Sequence, residues 1–202
     1  MSPGEAIHTI REQIADHIRA DILSGQLSEG QQLREQPLAH RFGVSRGPIR
    51  DVLLQLTQEG LLVSKRNCGV RVGRAPDEWT QPLVVDLRQR IEIFALRKVL
   101  KALNDEAIQC LDEIVERLRI ACERGDLAAI VKHDMAFHRY ILEMTGDENL
   151  VIMWLPIVQQ MMLHYTRHRD LIENFREHKA ILDAIYKRDK KVAIRALKAN
   201  IQ

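Results

Sequence analysis

Residues 27–72 read LSEGQQLREQPLAHRFGVSRGPIRDVLLQLTQEGLLVSKRNCGVRV, and this stretch decides the fold. Pro37 stands in the first turn of a short helix running to Phe42, where its missing N–H is no loss because first-turn amides have no intrahelical acceptor. Gly43 breaks that helix. Ser45 is a good N-cap for the next one, with Pro48 early in it. Ile49, Val52, Leu53 and Leu56 recur at helical spacing and give this second helix one apolar face, which ends at Gly60. Two short β-branched runs then flank Lys65-Arg66-Asn67-Cys68-Gly69, which reads as a hairpin.

Working outward, Ile7, Ile10, Ile14, Ile18 and Ile22 with Leu23 mark one face of a preceding helix that stops at Ser24-Gly25. Helix, short helix, glycine turn, helix and hairpin is the order of a winged helix-turn-helix. After Arg74 the pattern changes. Ala75-Pro76-Asp77-Glu78 reads as a linker, and from Trp79 onward the periodicity is helical. Helices are expected near 81–103, 106–123, 126–145, 148–168, 170–188 and 190–201, separated by Asn104-Asp105, Gly125-Asp126, Gly146-Asp147, Arg169-Asp170 and Asp189. Pro156 is expected to kink its helix rather than end it. The predicted fold is therefore mainly α. Residues 1–75 form a winged helix-turn-helix and residues 76–202 an all-α helical bundle.

Composition agrees. Hydrophobic residues make up 46% of the 202, enough to bury a sizeable core, while aromatics at 4% argue against an all-β sandwich. The net charge of +2 excludes a polycationic or disordered acidic chain. No apolar run approaches the about 18 residues of a membrane span, and the N-terminus lacks the apolar core of a secretory signal. Three cysteines without a CxxC pair point away from disulfide scaffolds and zinc ribbons and toward a reducing cytoplasm.

The weak global charge hides a local one. Arg46 to Arg74 holds six basic residues against two acidic. Such a patch suits a module that touches phosphates with one face, although a window of this length drifts as far by chance. The start of the second helix presents Ser45, Arg46, Gly47 and Arg50. Arg46 and Arg50 lie four apart, hence on one face, and can enter a major groove together. Arginine suits the bidentate edge of guanine as well as phosphate. Gly47 leaves room for a close approach, Arg34 sits where it can touch a phosphate, and Lys65, Arg66 and Gly69 would form a wing. A solvated helix face would look the same.

The same residues resemble the N-terminal signature of the GntR family of bacterial transcription regulators. The matching pieces include Gly30, Leu33 with Glu35, Leu38-Ala39, Gly43-Val44-Ser45-Arg46, Pro48 with Arg50, Glu59-Gly60-Leu61 and Gly69. The resemblance implies operator contacts from Arg46 and Arg50, with Ser45 and Gly69 close by.

In the helical part, Asp134 and His138 stand at i and i+4, so both can chelate one ion. Chance Asp/His pairs on helices are commoner than ligand pairs. His178 shares a face with Ile181, Leu182 and Ile185, as either a third ligand or a buried hydrogen-bonded histidine. This part resembles the FCD ligand-binding domain of FadR-type regulators through Leu87-Arg88, Ile91-Glu92, Asp134, Phe137-His138, Asn149-Leu150 and Glu177-His178. The resemblance implies a divalent metal (zinc, nickel or manganese) on Asp134, His138, His178 and a fourth position that falls at Asn200. Histidine is usual there, and an amide oxygen is a poorer ligand. It also implies that Arg88 binds an effector carboxylate, a task its planar fork suits. The competing role for Arg88 is an internal ion pair with Glu92. His164 and His168 are candidate lining residues.

The expectation is a cytoplasmic transcriptional repressor that binds operator DNA as a homodimer, with affinity set by a small carboxylate effector. It is expected to be no enzyme. The rival readings are a metal-dependent hydrolase built on Asp134, His138 and His178 and an effector-less helical dimerisation module.

Overall fold

The structure is a computed structural model, and it describes residues 9–23, 25–65, 69–162 and 170–202, without the side chains of Leu23, Lys65, Gln159 and Met162. The chain divides into two compact units, Met1–Arg74 and Ala75–Gln202.

In the first unit, α1 (Ile10–Leu23), α2 (Glu35–Phe42) and α3 (Arg46–Gln58) carry a small sheet of β1 (Gln32–Leu33), β2 (Leu62–Lys65) and β3 (Gly69–Val72). The apolar face of α3, Ile49, Val52, Leu53 and Leu56, is buried, as are Ile14, Ala15, Ile18 and Ile22 of α1, against which α3 packs. Ile10 departs from the expected stripe: it is exposed at the first residue of α1. Between α2 and α3, Gly43 adopts φ 65°, and its N–H closes on the carbonyls of Ala39 and His40. A residue with a Cβ enters that conformation at a cost, which is why the turn takes glycine. An ion pair fastens α1 to the end of α3: the Arg19 guanidinium donates to both Glu59 oxygens at 2.7–3.0 Å. Strand β1 was not anticipated. It is two residues long and pairs antiparallel with β3, giving the order β1-β3-β2. Two residues are too few to display alternation.

The second unit consists of α4 (Gln81–Val99), α5 (Asp105–Arg124), α6 (Leu127–Glu143), α7 (Glu148–Met162), α8 (Leu171–Tyr186) and α9 (Lys190–Asn200). The separators seen in the sequence act as caps. Asn104, Asp126, Asp170 and Asp189 each accept a backbone N–H of the following first turn. The first helix ends at Val99 rather than 103, because the chain must turn before Asn104 can adopt the extended backbone of an N-cap. Helix α7 runs through Pro156. Its expected continuation to 168, with His164 and His168, lies outside the described residues. Helices α4, α6, α7 and α8 turn Ala95, Phe137, Trp154 and Ile181 into a buried apolar core, and the polar cluster described below lies among them.

Candidate nucleic-acid interface and buried ligand cluster

Arg46 and Arg50 leave the first two turns of α3 side by side with mostly exposed side chains. One carboxylate holds both. Glu35, at the start of α2, accepts Arg46 Nε and Nη2 at 3.1 and 2.8 Å and Arg50 Nε and Nη2 at 2.9 and 3.0 Å. Hydrogen bonds from Arg50 and then Arg46 hold the Glu35 carboxyl down to about 2. The Glu35 hydrogen bond in turn raises Arg50. Each guanidinium is gripped along its Nε edge, so the outer end keeps the paired N–H donors that a guanine or phosphate requires.

An open groove of about 840 Å³ runs here, lined among others by Gln32, Arg34, Glu35, Arg46, Arg50 and Gly69. Arg34 precedes α2, is exposed, and donates to Gln32 Oε1 at 3.4 Å. Ser45 is the N-cap of α3 by backbone, but its hydroxyl makes no cap hydrogen bond, contrary to the role expected of it, and remains available to an outside partner. A Cβ built on Gly47 would meet only Ser45 Oγ, at 4.0 Å, so the fold itself does not demand glycine there. Gly69 differs. Its φ is 71°, which strains any residue with a Cβ, and a Cβ would stand 3.1 Å from Gln32 Nε2, so glycine is favoured where β3 begins. The side chain of Lys65 and all of Arg66 lie outside the described residues.

In the second unit, Asp134 and His138 of α6 and His178 of α8 come together, all buried, with donor atoms within 4.8 Å of one another. His138 Nε2 is 3.9 Å from Asp134 Oδ1, and His178 Nε2 is 3.5 Å from Asp134 Oδ2. Donors around a tetrahedral ion stand about 3.4 Å apart, so small side-chain rotations suffice to close the set. The orienting partners decide which nitrogen faces inward. His138 Nδ1 lies 2.6 Å from Glu92 Oε2, and His178 Nδ1 lies 2.8 Å from the Asn174 carbonyl. A carboxylate and a carbonyl only accept, so both Nδ1 atoms carry protons and both Nε2 atoms carry the lone pair in the neutral rings. These two Nε2 atoms are buried without a hydrogen-bond partner among the described residues. Burial pushes His178 down to about 4, against an opposing pull from Asp134, so it is neutral at pH 7. The three residues therefore suit a borderline metal ion through two imidazole nitrogens and a carboxylate oxygen.

Arg88 is buried. Its Nε donates to Glu92 Oε1 at 2.7 Å, so the internal pair weighed against an effector role is present. Glu92 also accepts Trp154 Nε1 at 2.6 Å. Burial alone would raise the Glu92 carboxyl, but the Arg88 charge and the hydrogen bonds from His138 and Arg88 hold it at about 2. Asn200, the fourth expected position, is buried at the end of α9, and its amide nitrogen donates to Glu177 Oε2 at 3.1 Å. Three contributors were missed: Glu35 as the clamp on the arginines, Trp154 as a partner of Glu92, and Asn174, which donates to Asp134 Oδ2 at 3.3 Å besides orienting His178. Of these, only Asn174 left a local signal, its i,i+4 spacing to His178.

Comparison with known proteins agrees with both halves. Residues 83–202 match the FCD domain, and residues 10–72 match the bacterial regulatory proteins of the gntR family. The gluconate operon transcriptional repressor of Bacillus licheniformis is 27% identical over 198 residues, covering 93% of this chain and 80% of its own length. The HTH-type transcriptional repressor RspR of Escherichia coli is 24% identical over 202 residues, covering 96% and 86%. Among solved structures, E. coli McbR/YncC superposes with a TM-score of 0.74 at 22% identity over 97% of this chain and 95% of its own, a likeness of fold.

Proposed function

The chain belongs to the gntR family of bacterial regulatory proteins with an FCD domain and is a DNA-binding transcriptional regulator; on that premise we propose that it is a homodimeric repressor whose operator affinity is set by a small carboxylate bound in the helical domain. The observation that carries the DNA half is the pair of exposed arginines on α3 held parallel by Glu35. Arg46 and Arg50 read base edges in the major groove, while Arg34, Ser45, Gly47, Lys65 and Gly69 meet the backbone around them. A regulator of this kind works where its operator is, in the cytoplasm.

For the helical half we assign a divalent ion to Asp134, His138 and His178, with Asn200 as a weaker fourth donor. The support is the pair of buried Nε2 atoms, without a hydrogen-bond partner among the described residues, that face Asp134. The bound ion would supply positive charge for one oxygen of the effector carboxylate. Arg88 takes the other, a task the planar fork of its guanidinium suits. Glu92 accepts three hydrogen bonds and is held at about 2, which makes it a poor proton acceptor, so the cluster favours binding over hydrolysis. No helix among the described residues is long and apolar enough to cross a membrane.

The dimer is assigned to α4 and α7. Leu83, Leu87 and Phe94 form one exposed stripe on α4, and Ile152 and Met153 are exposed on α7, which packs against it. Two-fold symmetry matches a palindromic operator.

The test begins with selection of genomic fragments by the purified full chain. Fluorescence anisotropy then follows on the selected duplex. Arg46→Ala and Arg50→Ala are each expected to lose roughly 1–3 kcal/mol of specific binding. Wild-type affinity in both would show that α3 is not the reading helix.

A further inference from the structure

We propose that Glu92 is a positioning residue for the metal: its carboxylate fixes the ring tautomer of His138 and ties that ligand to Arg88 and Trp154. The inference rests on the metal reading above. The two histidines are oriented by different devices. His178 donates to the carbonyl of Asn174, one turn earlier on its own helix, so α8 alone sets its ring. His138 on α6 is set from a different helix, α4, through Glu92 Oε2. The other oxygen, Oε1, accepts Arg88 Nε at 2.7 Å and Trp154 Nε1 at 2.6 Å. With three donors arriving from α4, α6 and α7, the carboxylate cannot rotate. An ionised carboxylate has no proton to give, so His138 must donate from Nδ1 and present its Nε2 lone pair to Asp134 and His178. A charge-assisted bond to the distal nitrogen also makes the imidazole a stronger donor to a metal. Metal affinity thereby depends on how α4 packs on α6. Arg88, the residue assigned to the effector carboxylate, shares its partner with a metal ligand, so the two sites are coupled through one side chain.

The test uses the full chain stripped of metal with a chelator. Correlation spectra of the 15N-labelled histidine rings, with His138 assigned by its loss in His138→Gln, are expected to show Nδ1 protonated. Zinc is then titrated against a chromophoric chelator. Glu92→Gln keeps the volume: its carbonyl oxygen can still accept from Arg88 and Trp154, but its NH2 group takes the place of Oε2 and donates to His138 Nδ1, which must then accept. Its zinc affinity is expected to be roughly 10–100-fold below wild type, with the His138 proton moved to Nε2. His138→Ala is expected to lose the site. Protonation at Nε2 in the wild type overturns the proposal, and this holds even where Glu92→Gln does not fold. Equal zinc affinity in wild type and Glu92→Gln overturns the positioning role alone. A wild type that takes up no zinc overturns the metal reading together with it.

Discussion

Replacing Glu35 by alanine separates specific from non-specific DNA binding. In the free protein Glu35 accepts four hydrogen bonds, two from each of Arg46 and Arg50, the arginines proposed to read the operator. Without it, both guanidiniums sample their rotamers freely and must be ordered again on the operator. Ordering a long side chain at an interface costs roughly 0.5–1.5 kcal/mol, so two cost about 1–3 kcal/mol, or roughly 5- to 150-fold in specific affinity. The charge effect has the opposite sign. Removing a carboxylate from the phosphate-facing side strengthens attraction to any duplex. Specific binding should therefore weaken while scrambled DNA binds as well or better, and the ratio of the two collapses. The salt dependence should stay as it is, since the number of phosphates met is unchanged. Glu35→Gln, which keeps one acceptor, should fall between. Because Glu35 is held at about 2, the clamp is ionised throughout the neutral range, and it predicts no pH dependence there. Anisotropy with operator and scrambled duplexes at two salt concentrations reads all of this. An alanine variant with the wild-type ratio of operator to scrambled affinity would refute the clamp.

Arg88→Ala leaves the buried Glu92 charge uncompensated and should cost about 3–5 kcal/mol in urea denaturation, with loss of any response to organic acids; Arg88→Lys should recover much of the stability and little of the response. The pH dependence of the metal-free protein follows from His178, whose pKa is depressed from 6.5 to about 4 in the fold. Below 6.5 the unfolded chain takes a proton that the folded state refuses, so stability falls as the pH drops from 6.5 to 4 and then levels off, by up to roughly 3 kcal/mol. His178→Gln should flatten that segment of the stability profile, and an unchanged slope would assign it to other groups. Leu87→Asp with Phe94→Asp should convert the proposed dimer to monomer in sedimentation, with the helical fold retained by circular dichroism, because both side chains already face solvent in the single chain.

What could be read from the sequence was local, and what could not was between elements. The apolar face of α3 is visible because packing on α1 needs Ile49, Val52, Leu53 and Leu56 at helical spacing, whatever lies beyond. Asp134 with His138 was legible for the same reason: i and i+4 on one helix are neighbours before any tertiary contact forms. His178 was legible only as a core-facing residue, since 44 positions separate it from Asp134 and periodicity carries no information about which helix it will meet. Strand β1 was invisible because its pairing with β3 spans the whole of α2 and α3.

Glu92 shows the limit most clearly. As the i+4 partner of Arg88 it looks like an ordinary intrahelical ion pair, and that contact is real. Its other two bonds reach His138, 46 residues on, and Trp154, 62 residues on. An i,i+4 pair on an exposed helix face contributes a few tenths of a kcal/mol and can be exchanged freely. The same pair at 3% and 1% exposure is a buried charge network in which every member depends on the others. Burial thus turns one spacing into two different chemistries, and burial of a polar residue is decided by the packing of α4 on α6 and α7, which no window along α4 contains. The same holds for Glu35. Beside Arg34 in the sequence it reads as the acidic first turn of a short helix, favourable to the helix dipole and nothing more. It becomes a clamp only because the turn at Gly43 brings the start of α3, eleven residues on, back to the start of α2.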